Sequence, residues 1–484
     1  MSVFKKLFKQ TFIYGLATVL PRLLTVILVP LYVKVLLPEE YGIYSTVMAF
    51  LILGNVLLSY GMETAFFRFI TKHTSQQKIV QSTTLTSLTV STLLFLGITL
   101  LLRNNIAEIS EFKPEFVTYG LIILALDALV VLPFAWFRVN EKPTRYAAIK
   151  IFNVVINLAF NIFFLLILPK LAANSSYWNA LWYPENKVAY VFIANLIASA
   201  VTLLVLLPLY VKIGLGFNRV IWKQMMRYAL PVLFAGIAFS INEAFDRILL
   251  KYLLPENIAE IQVGLYSACY KLGMFMTLFV MAFRLGIEPF FFNHSKESNA
   301  KTTYATITKY FTLFGCFILL VVVVYIDVFK RILIPNSQYW EALKIVPLIL
   351  LANLFLGIYH NLSVWYKVTD RTKYGAYISI FAAAVTLVLN YILIPIIGYM
   401  GSAIATLAAY GSMMVLSYLY GRKYYDVPYD VKKISSYLLL AVGFSGISFY
   451  IFNGNIYLGT ALLLVFTAIM YYSEKNDFLK IIKK

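Results

Sequence analysis

The chain has 484 residues, of which 61% are hydrophobic and only 13% are charged, and its mean hydropathy is +0.79. Ordinary soluble domains carry about 25% charged residues, so this composition excludes a soluble enzyme and indicates an integral membrane protein. The net charge of +19 does not indicate nucleic-acid binding, which would require a basic soluble surface with interleaved aromatic side chains.

The apolar residues fall in separate runs of about 20, which is the length a helix needs to cross a hydrocarbon core of about 30 Å. The alternating ten-residue segments of an outer-membrane barrel are absent. We predict an all-α integral membrane protein with fourteen transmembrane helices. In chain order they lie near residues 12–36, 41–66, 82–102, 115–137, 146–168, 187–211, 224–253, 263–291, 304–326, 342–365, 374–395, 400–421, 434–452 and 456–472.

Lysine and arginine are distributed asymmetrically over the predicted connections. With the N-terminus inside, the segments on that side carry 28 of the 41 Lys and Arg residues, and the outer segments carry 9. This excess follows the positive-inside rule, so we expect both termini to lie in the cytoplasm. The protein is expected in a bacterial inner membrane.

No catalytic group or metal cluster is apparent in the sequence. Cys269 and Cys316 lie in predicted spans, and His73, His294 and His360 fit no ligand spacing. A phosphate-binding Gly-x-x-x-x-Gly-Lys loop and a nucleophile motif are both absent. We therefore predict a protein that is not an enzyme and has no metal or cofactor, with H⁺ or Na⁺ coupling left open.

Three sequence matches recur in the same order in the two halves of the chain. They are KVLLPEEYGIYS from Lys34 with KYLLPE from Lys251 and VGLYS from Val263, GMETAFF from Gly61 with GIEPFFF from Gly286, and WFRVNEKPTRY from Trp136 with WYKVTDRTKY from Trp365. Six helices separate the members of each pair, which indicates a parallel repeat. We predict two six-helix lobes, residues 1–212 and 213–424, around a central cavity. Two additional helices, without internal charges, occupy residues 425–484.

Several segments together resemble the polysaccharide biosynthesis family, which contains flippases for lipid-linked oligosaccharides within the multidrug/oligosaccharidyl-lipid/polysaccharide exporter superfamily. They are LPRLLTVILVPLYVKVLLPEEYGIYS near the N-terminus, the Asp246 and Arg247 pair of the seventh helix, VGLYSACYKL, and the Gly-x-Glu-Pro-Phe of the eighth. The similarity covers nearly the whole chain, including the fourteen helices in two lobes.

The resemblance implies a function in polysaccharide export. An undecaprenyl-pyrophosphate-linked oligosaccharide would be moved from the inner to the outer leaflet by alternating access, without ATP, for O-antigen, capsule or exopolysaccharide. The expected partners are this lipid-linked oligosaccharide and membrane lipids. A polysaccharide polymerase and chain-length proteins are candidate protein partners.

The repeat separates charges that the fold requires from charges that serve a substrate, because only the former should occur in both lobes. Lys251 and Glu256 correspond to Lys34 and Glu39, so we expect a helix-end anchor whose lysine extends to the membrane interface. Glu288 corresponds to Glu63 and is likewise expected to be structural. The charged residues inside spans without a counterpart are Arg22, Asp127, Glu243, Asp246, Arg247, Lys271 and Arg284. A charge at mid-bilayer costs at least about 2.5 kcal/mol, so these residues are candidates for the substrate path.

The four cations, Arg22, Arg247, Lys271 and Arg284, are candidates to bind the substrate pyrophosphate, because cationic donors match phosphate oxygens. Interface anchoring or helix pairing is the alternative. The carboxylates of Asp127, Glu243 and Asp246 are candidates for ion coupling or for pairing inside the cavity.

Local spacing leaves both roles open for the carboxylates. Glu243 precedes Asp246 by three residues and Arg247 by four, so the three can neutralise one another on one side of the helix. Asp127 has no charged residue beside it in sequence. It is suited to taking a proton or to pairing with Arg22 or Arg284.

Asn153, Asn157 and Asn161 form a polar stripe on the fifth helix. They can bind sugar hydroxyl groups, or they can hydrogen-bond a neighbouring helix.

Two other functions are considered beside the flippase. A multidrug or cation antiporter of the same superfamily favours an anionic or neutral cavity, whereas the charges without a repeat counterpart here comprise four cations and three carboxylates. A membrane glycan polymerase or glycosyltransferase needs a catalytic constellation in a loop, and the short outer loops contain none.

Overall fold

The computed structural model describes residues 26–72, 74–294 and 297–482. Within these residues, 13 helices are long and apolar enough to cross a membrane, and a shorter apolar helix, α1 (Val26–Val35), precedes them. The spans are α2 (Pro38–Lys72), α3 (Gln77–Leu101), α4 (Pro114–Val139), α5 (Pro143–Asn174), α6 (Pro184–Ile213), α7 (Arg219–Leu253), α8 (Glu256–Ile287), α9 (Ala300–Val324), α10 (Ser337–Val368), α11 (Lys373–Ile397), α12 (Tyr399–Tyr424), α13 (Val431–Ile451) and α14 (Ile456–Lys475). The predicted all-α membrane fold is confirmed.

Several spans depart from a regular α-helix. α2 is interrupted at Tyr60 and Gly61, whose φ angles of 34° and 72° lie in the left-handed region. α5 contains the π-helical segment Phe163–Ile167, and α8 contains the 3₁₀ segment Lys271–Gly273. Such irregular segments frequently mark hinges or functional positions in a helix.

The helix boundaries differ from the prediction mainly around α8 and α14. α8 was expected to begin near residue 263, but it begins at Glu256, so residues 257–262 are helical and not a loop insertion. The last helix was expected to end near residue 472, but it continues to Ile482. Three short α-helices between spans, Arg103–Ser110, Ser176–Asn179 and Ile326–Leu333, were not predicted.

The chain forms two compact units, Met1–Gly264 and Leu265–Lys484. In the first unit α4 packs on α6, and α7 packs mainly on α2. In the second unit α12 packs on α10 and α11, while α9 packs on α13 and α14. This boundary falls within α8, whereas the repeat placed a lobe boundary at residue 212. The assignment of α7 to the second lobe stays a prediction about the duplication.

The two loops that match in sequence also match in backbone conformation. Glu141 and Asp370, which correspond in the repeat, have φ angles of 51° and 56°. In each loop the next residue donates its backbone N–H to the carbonyl five residues earlier, at 2.9 Å for Lys142 and 2.8 Å for Arg371. This is the hydrogen bond of a Schellman helix end. The agreement supports the duplication.

Two repeat-related glycines form a close helix crossing within the first unit. A Cβ added to Gly42 would lie 1.9 Å from the carbonyl oxygen of Glu260, and one added to Gly264 would lie 1.8 Å from that of Pro38. Pro38 and Glu260 each lie four residues before the glycine of their own helix. The contact is therefore reciprocal, as expected for elements related by a two-fold axis. Only glycine allows two helix backbones to approach this closely.

Replacing Gly264 by alanine should push α2 and α8 apart, because a backbone oxygen occupies the position that the methyl group needs. We expect a loss of about 1–3 kcal/mol, measured as a lower melting temperature of the purified protein in detergent. The matched control is Gly97→Ala in α3, where nothing lies within 4 Å of an added Cβ. Equal melting temperatures for the two variants would contradict the close crossing.

Candidate functional site

Asp127 of α4 is surrounded by polar side chains from three other spans. The Ser199 hydroxyl of α6 donates to Asp127 Oδ1 at 2.9 Å, and the Asn55 side chain of α2 is a further hydrogen-bond partner. The ammonium of Lys150 in α5 interacts electrostatically with the same carboxylate. Asp127 therefore has a cation in its electrostatic environment within its own unit, and this cation is a lysine that the sequence analysis did not consider.

Lys150 was missed because it was counted among the basic residues of an inner loop. α5 begins at Pro143, so Lys150 lies two turns inside the helix. Asn153, Asn157 and Asn161 follow it at the spacing of one helix face. The polar stripe therefore begins at Lys150, and this periodicity is the signal that could have identified the lysine.

The three asparagines make hydrogen bonds to helical neighbours. Asn153 Nδ2 donates to the Thr202 hydroxyl of α6 at 2.8 Å. Asn161, which is fully buried, donates to both the backbone and the side-chain oxygen of Asn157 at 2.8 Å. The Asn153–Thr202 bond is of the kind that joins membrane helices, whereas the Asn161 bonds lie within α5. Sugar binding by this stripe stays a prediction.

The charged group of α7 is joined differently from the expected arrangement. Arg247 NH1 lies 3.1 Å from Asp246 Oδ1, and these side chains are only 12% and 7% exposed. Arg247 NH1 also donates to the backbone carbonyl oxygen of Glu243 at 3.3 Å. Asp246 Oδ1 also accepts the backbone N–H of Arg247 at 2.9 Å, which holds the carboxylate beside the guanidinium. The local neutralisation that the spacing allows is therefore made at least between the adjacent residues Asp246 and Arg247.

Lys251 lies in the last turn of α7, as predicted for a helix-end residue, but its side chain is buried in ion pairs. Its side chain is 5% exposed, and its Nζ lies 2.6 Å from Glu260 Oε1 and 3.8 Å from Glu111 Oε2. Its repeat counterpart Lys34 is exposed. The physical reason is the early start of α8 at Glu256, which places Glu260 in a helical turn close to the end of α7.

A buried carboxylate joins the last two helices to α9 within the second unit. Glu474 is fully buried and forms an ion pair with Lys309 of α9. It also lies 3.1 Å from Lys433 Nζ and accepts the Tyr437 hydroxyl at 2.6 Å. The expectation that these helices carry no internal charge is wrong, because the last helix continues past the end of its apolar run.

Lys271 lies in the 3₁₀ segment of α8. The matched glycines are 19 residues apart in α2 (Gly42 and Gly61) and 22 apart in α8 (Gly264 and Gly286). Between the matched glycines, α8 thus has three residues more than α2. The 3₁₀ segment of α8 is also three residues long. This difference explains why Lys271 has no counterpart in the first lobe.

Of the other candidate cations, Arg22 lies outside the described residues and Arg284 lines a cavity. The cavity is small, about 20 Å³, and lies in the second unit, between α8 and α10 and beside Phe311 of α9. Its polar lining consists of Arg284, His360, Asn361 and Lys367. The sequence analysis missed the last three, since His360 fitted no ligand spacing and Lys367 was counted as an inner loop residue.

The chain matches the model of a family described as polysaccharide biosynthesis protein over residues 7–284, more than half of its length. It belongs to the polysaccharide biosynthesis protein family. A second model, MatE, matches residues 231–392 of this family member. Among curated protein sequences, none matches the chain.

Solved transporters share the fold of this polysaccharide biosynthesis protein. The lipid II flippase MurJ in an inward closed conformation has a TM-score of 0.73 and 14% identity, over 96% of this chain and 99% of that one. An inward-facing multidrug resistance MATE family transporter of the MOP superfamily gives 0.61 and 15%, over 89% and 96%. A MOP superfamily transporter from Pyrococcus furiosus, described as having a binding pocket of reverse polarity, gives 0.56 and 16%, over 90% and 96%. At these identities the likeness establishes the fold.

Replacing Lys150 by methionine should leave the Asp127 carboxylate without its cation in the first unit. Lys150 favours the charged form of Asp127 electrostatically, so removing the lysine alone should destabilise the protein more than removing both charges. The double variant Lys150→Met/Asp127→Asn should therefore be more stable than Lys150→Met, measured by thermal unfolding in detergent. Lys78→Met, which removes an exposed lysine of α3, is the control. Strictly additive losses in the double variant would show that the two groups are not a pair.

Proposed function

We propose that this protein is a flippase for undecaprenyl-pyrophosphate-linked oligosaccharide, moving it from the inner to the outer leaflet of a bacterial inner membrane for O-antigen, capsule or exopolysaccharide export. The observation that carries the proposal is the match to the polysaccharide biosynthesis family over residues 7–284. Sharing a fold with a lipid II flippase supports a lipid-linked substrate. Both termini face the cytoplasm in this proposal, as the distribution of basic residues predicts.

The chemical basis is a set of cations within the membrane spans. Arg22, Arg247, Lys271 and Arg284 bind the pyrophosphate oxygens during alternating access, while the polyprenyl tail stays in the bilayer. Charge-assisted hydrogen bonds to phosphate are strong, and guanidinium groups match its oxygens in pairs. The low dielectric inside the membrane strengthens these contacts further.

Coupling to H⁺ or Na⁺ is assigned to the carboxylates Asp127, Glu243 and Asp246. Asp127 is the best supported of the three, because a bound cation could supply the electrostatic stabilisation that Lys150 now gives to this carboxylate. Asp246 already neutralises Arg247. A carboxylate that exchanges a lysine for a coupling ion is suited to linking ion binding with a conformational change.

A second candidate function is a multidrug or cation antiporter, which is favoured by the MatE match over residues 231–392 and by the MATE transporters of similar fold. A glycan polymerase or glycosyltransferase is disfavoured, since the solved proteins of similar fold are transporters. A polysaccharide polymerase and chain-length proteins are instead proposed as partners in the membrane.

Deleting the gene in the native cell should cause lipid-linked glycan to accumulate on the cytoplasmic leaflet and should lower surface polysaccharide. The Lys271→Ala variant should restore roughly one tenth of the export that the wild-type gene restores, because one charge-assisted contact to phosphate is lost. Lys432→Ala, which removes an exposed lysine of α13, should complement fully. Surface polysaccharide and leaflet-resolved lipid-linked glycan are measured at matched membrane levels of each variant.

Unaltered glycan export in the deletion strain, together with greater sensitivity to cationic drugs, would reject the flippase and favour the antiporter. Full complementation by both Arg22→Ala and Lys271→Ala would instead reject the cationic headgroup site.

A further inference from the structure

The connection between the fifth and sixth spans of the first unit has no counterpart in the second copy of the repeat. α5 ends at Asn174 and α6 begins at Pro184, so residues 175–183 lie between the spans. In the second copy, Gly398 alone separates α11 from α12. The duplicated fold therefore does not require the longer connection, which we call the aromatic loop (residues 175–183).

The aromatic loop exposes large rings and carries no charge. Its sequence is SSYWNALWY from Ser175, with four large aromatic residues and no acidic or basic one. Tyr177 and Tyr183 are 69% and 54% exposed, and Trp178 and Trp182 are half-buried. Exposed apolar surface that is concentrated in one place typically marks a site of interaction with a ligand, a protein or a membrane.

The loop is held in place by a stack of rings and by one hydroxyl group. Trp182 stacks on Tyr190 of α6 with the ring centroids 5.2 Å apart, and Tyr190 stacks on Phe164 in the π-helical segment of α5 at 5.4 Å. The Tyr190 hydroxyl donates to the Leu181 carbonyl at 2.6 Å and accepts the Tyr183 N–H at 2.9 Å. A loop that is fixed before binding loses little conformational entropy when a ligand arrives.

The composition of the aromatic loop suits a neutral sugar chain. One face of a sugar ring presents C–H groups, and the negative face of an aromatic ring attracts their partial positive charge. The hydroxyl groups at the edge of the sugar need hydrogen-bond partners, which the exposed side chains of Ser175, Ser176 and Asn179 can supply. An anionic lipid headgroup would instead require Lys or Arg, and the loop has neither.

Anchoring at the membrane interface is the alternative role for these rings, because Trp and Tyr are enriched where helices leave a bilayer. An anchor that the helix ends require would be expected in both copies of the repeat. The second copy joins the corresponding helices through Gly398 without such a loop. The duplication therefore favours a task that belongs to the first copy alone.

We propose that the aromatic loop binds the sugar chain of the transported lipid-linked oligosaccharide, with sugar rings stacked on Tyr177 and Tyr183. Trp182 acts as a positioning residue through its stack on Tyr190. The inference rests on the proposed flippase function and deepens it, because it assigns recognition of the glycan to a surface other than the cations of the spans. By the predicted topology the loop faces outward, so it holds the glycan that has crossed the membrane.

The test uses oligosaccharide fragments released by mild acid hydrolysis from the surface polysaccharide of the native cell. They are titrated by calorimetry into the purified full-length protein in a detergent without sugar groups. Wild type should bind them saturably, and inorganic pyrophosphate should not displace them. Tyr177→Ala and Tyr183→Ala should each weaken binding roughly threefold to tenfold, whereas Tyr177→Phe should keep it, because the ring makes the contact.

The matched control is Tyr457→Ala, which removes an 84% exposed tyrosine at the start of α14 and should bind like wild type. Melting temperatures show that each variant is folded. Wild-type affinity in folded Tyr177→Ala and Tyr183→Ala would overturn the inference, even if the deletion strain accumulates lipid-linked glycan. Displacement of the fragments by pyrophosphate would also overturn it, since binding would then depend on cations.

The outcome for the aromatic loop is separable from that for the proposed function. If both alanine variants lose affinity for the fragments while the deletion strain exports glycan normally, the sugar site is supported and the proposed flippase function fails. In liposomes, wild-type affinity of both variants together with quenching of Trp178 and Trp182 by brominated lipid would overturn the sugar site and indicate a membrane anchor. The quenching is measured as the difference from the Trp178→Phe/Trp182→Phe variant.

Discussion

A charge held inside a bilayer needs a partner, because lipid does not solvate it, and this constraint determines how several spans of this protein contact one another. The partners are contributed across helices: Lys251 of α7 with Glu260 of α8, Glu474 of α14 with Lys309 of α9, and Glu474 also with Lys433 of α13. Arg247 is instead paired with its neighbour Asp246 within α7. Each of the first three pairs therefore also specifies which helix faces meet.

The duplication provides an internal reference for these pairs. Features present in both copies, such as the reciprocal glycine contact and the two left-handed loop residues Glu141 and Asp370, are those that the backbone geometry requires. Features present in only one copy are not explained by the shared backbone geometry. Lys34 is exposed while Lys251 is buried in an ion pair. One sequence pattern can therefore serve two roles, and correspondence in sequence does not guarantee correspondence in environment.

The number and order of the spans could be predicted from hydropathy, since a run of about 20 apolar residues has few alternatives in a membrane. The duplication could be recognised because loop and glycine positions are under backbone constraints. Charge partners were predicted poorly. Glu474 was assigned to a loop because the last helix extends beyond its apolar run. Lys150 was counted with an inner loop although it lies within the predicted fifth span, and the burial of Lys251 was missed because α8 starts seven residues early. Which residue pairs with a given charge depends on which helix faces meet. The sequence of a single helix does not contain that information.

Translocation itself is tested most directly in liposomes that contain the purified protein and a fluorescent short-chain polyprenyl-pyrophosphate oligosaccharide. Chemical quenching from outside reports how fast labelled lipid on the inner leaflet becomes accessible, with and without a proton or sodium gradient. The account predicts exchange well above that of protein-free liposomes, without ATP, and slower exchange for Lys271→Ala. Exchange equal to protein-free liposomes under every gradient, with folded protein in the membrane, would contradict it.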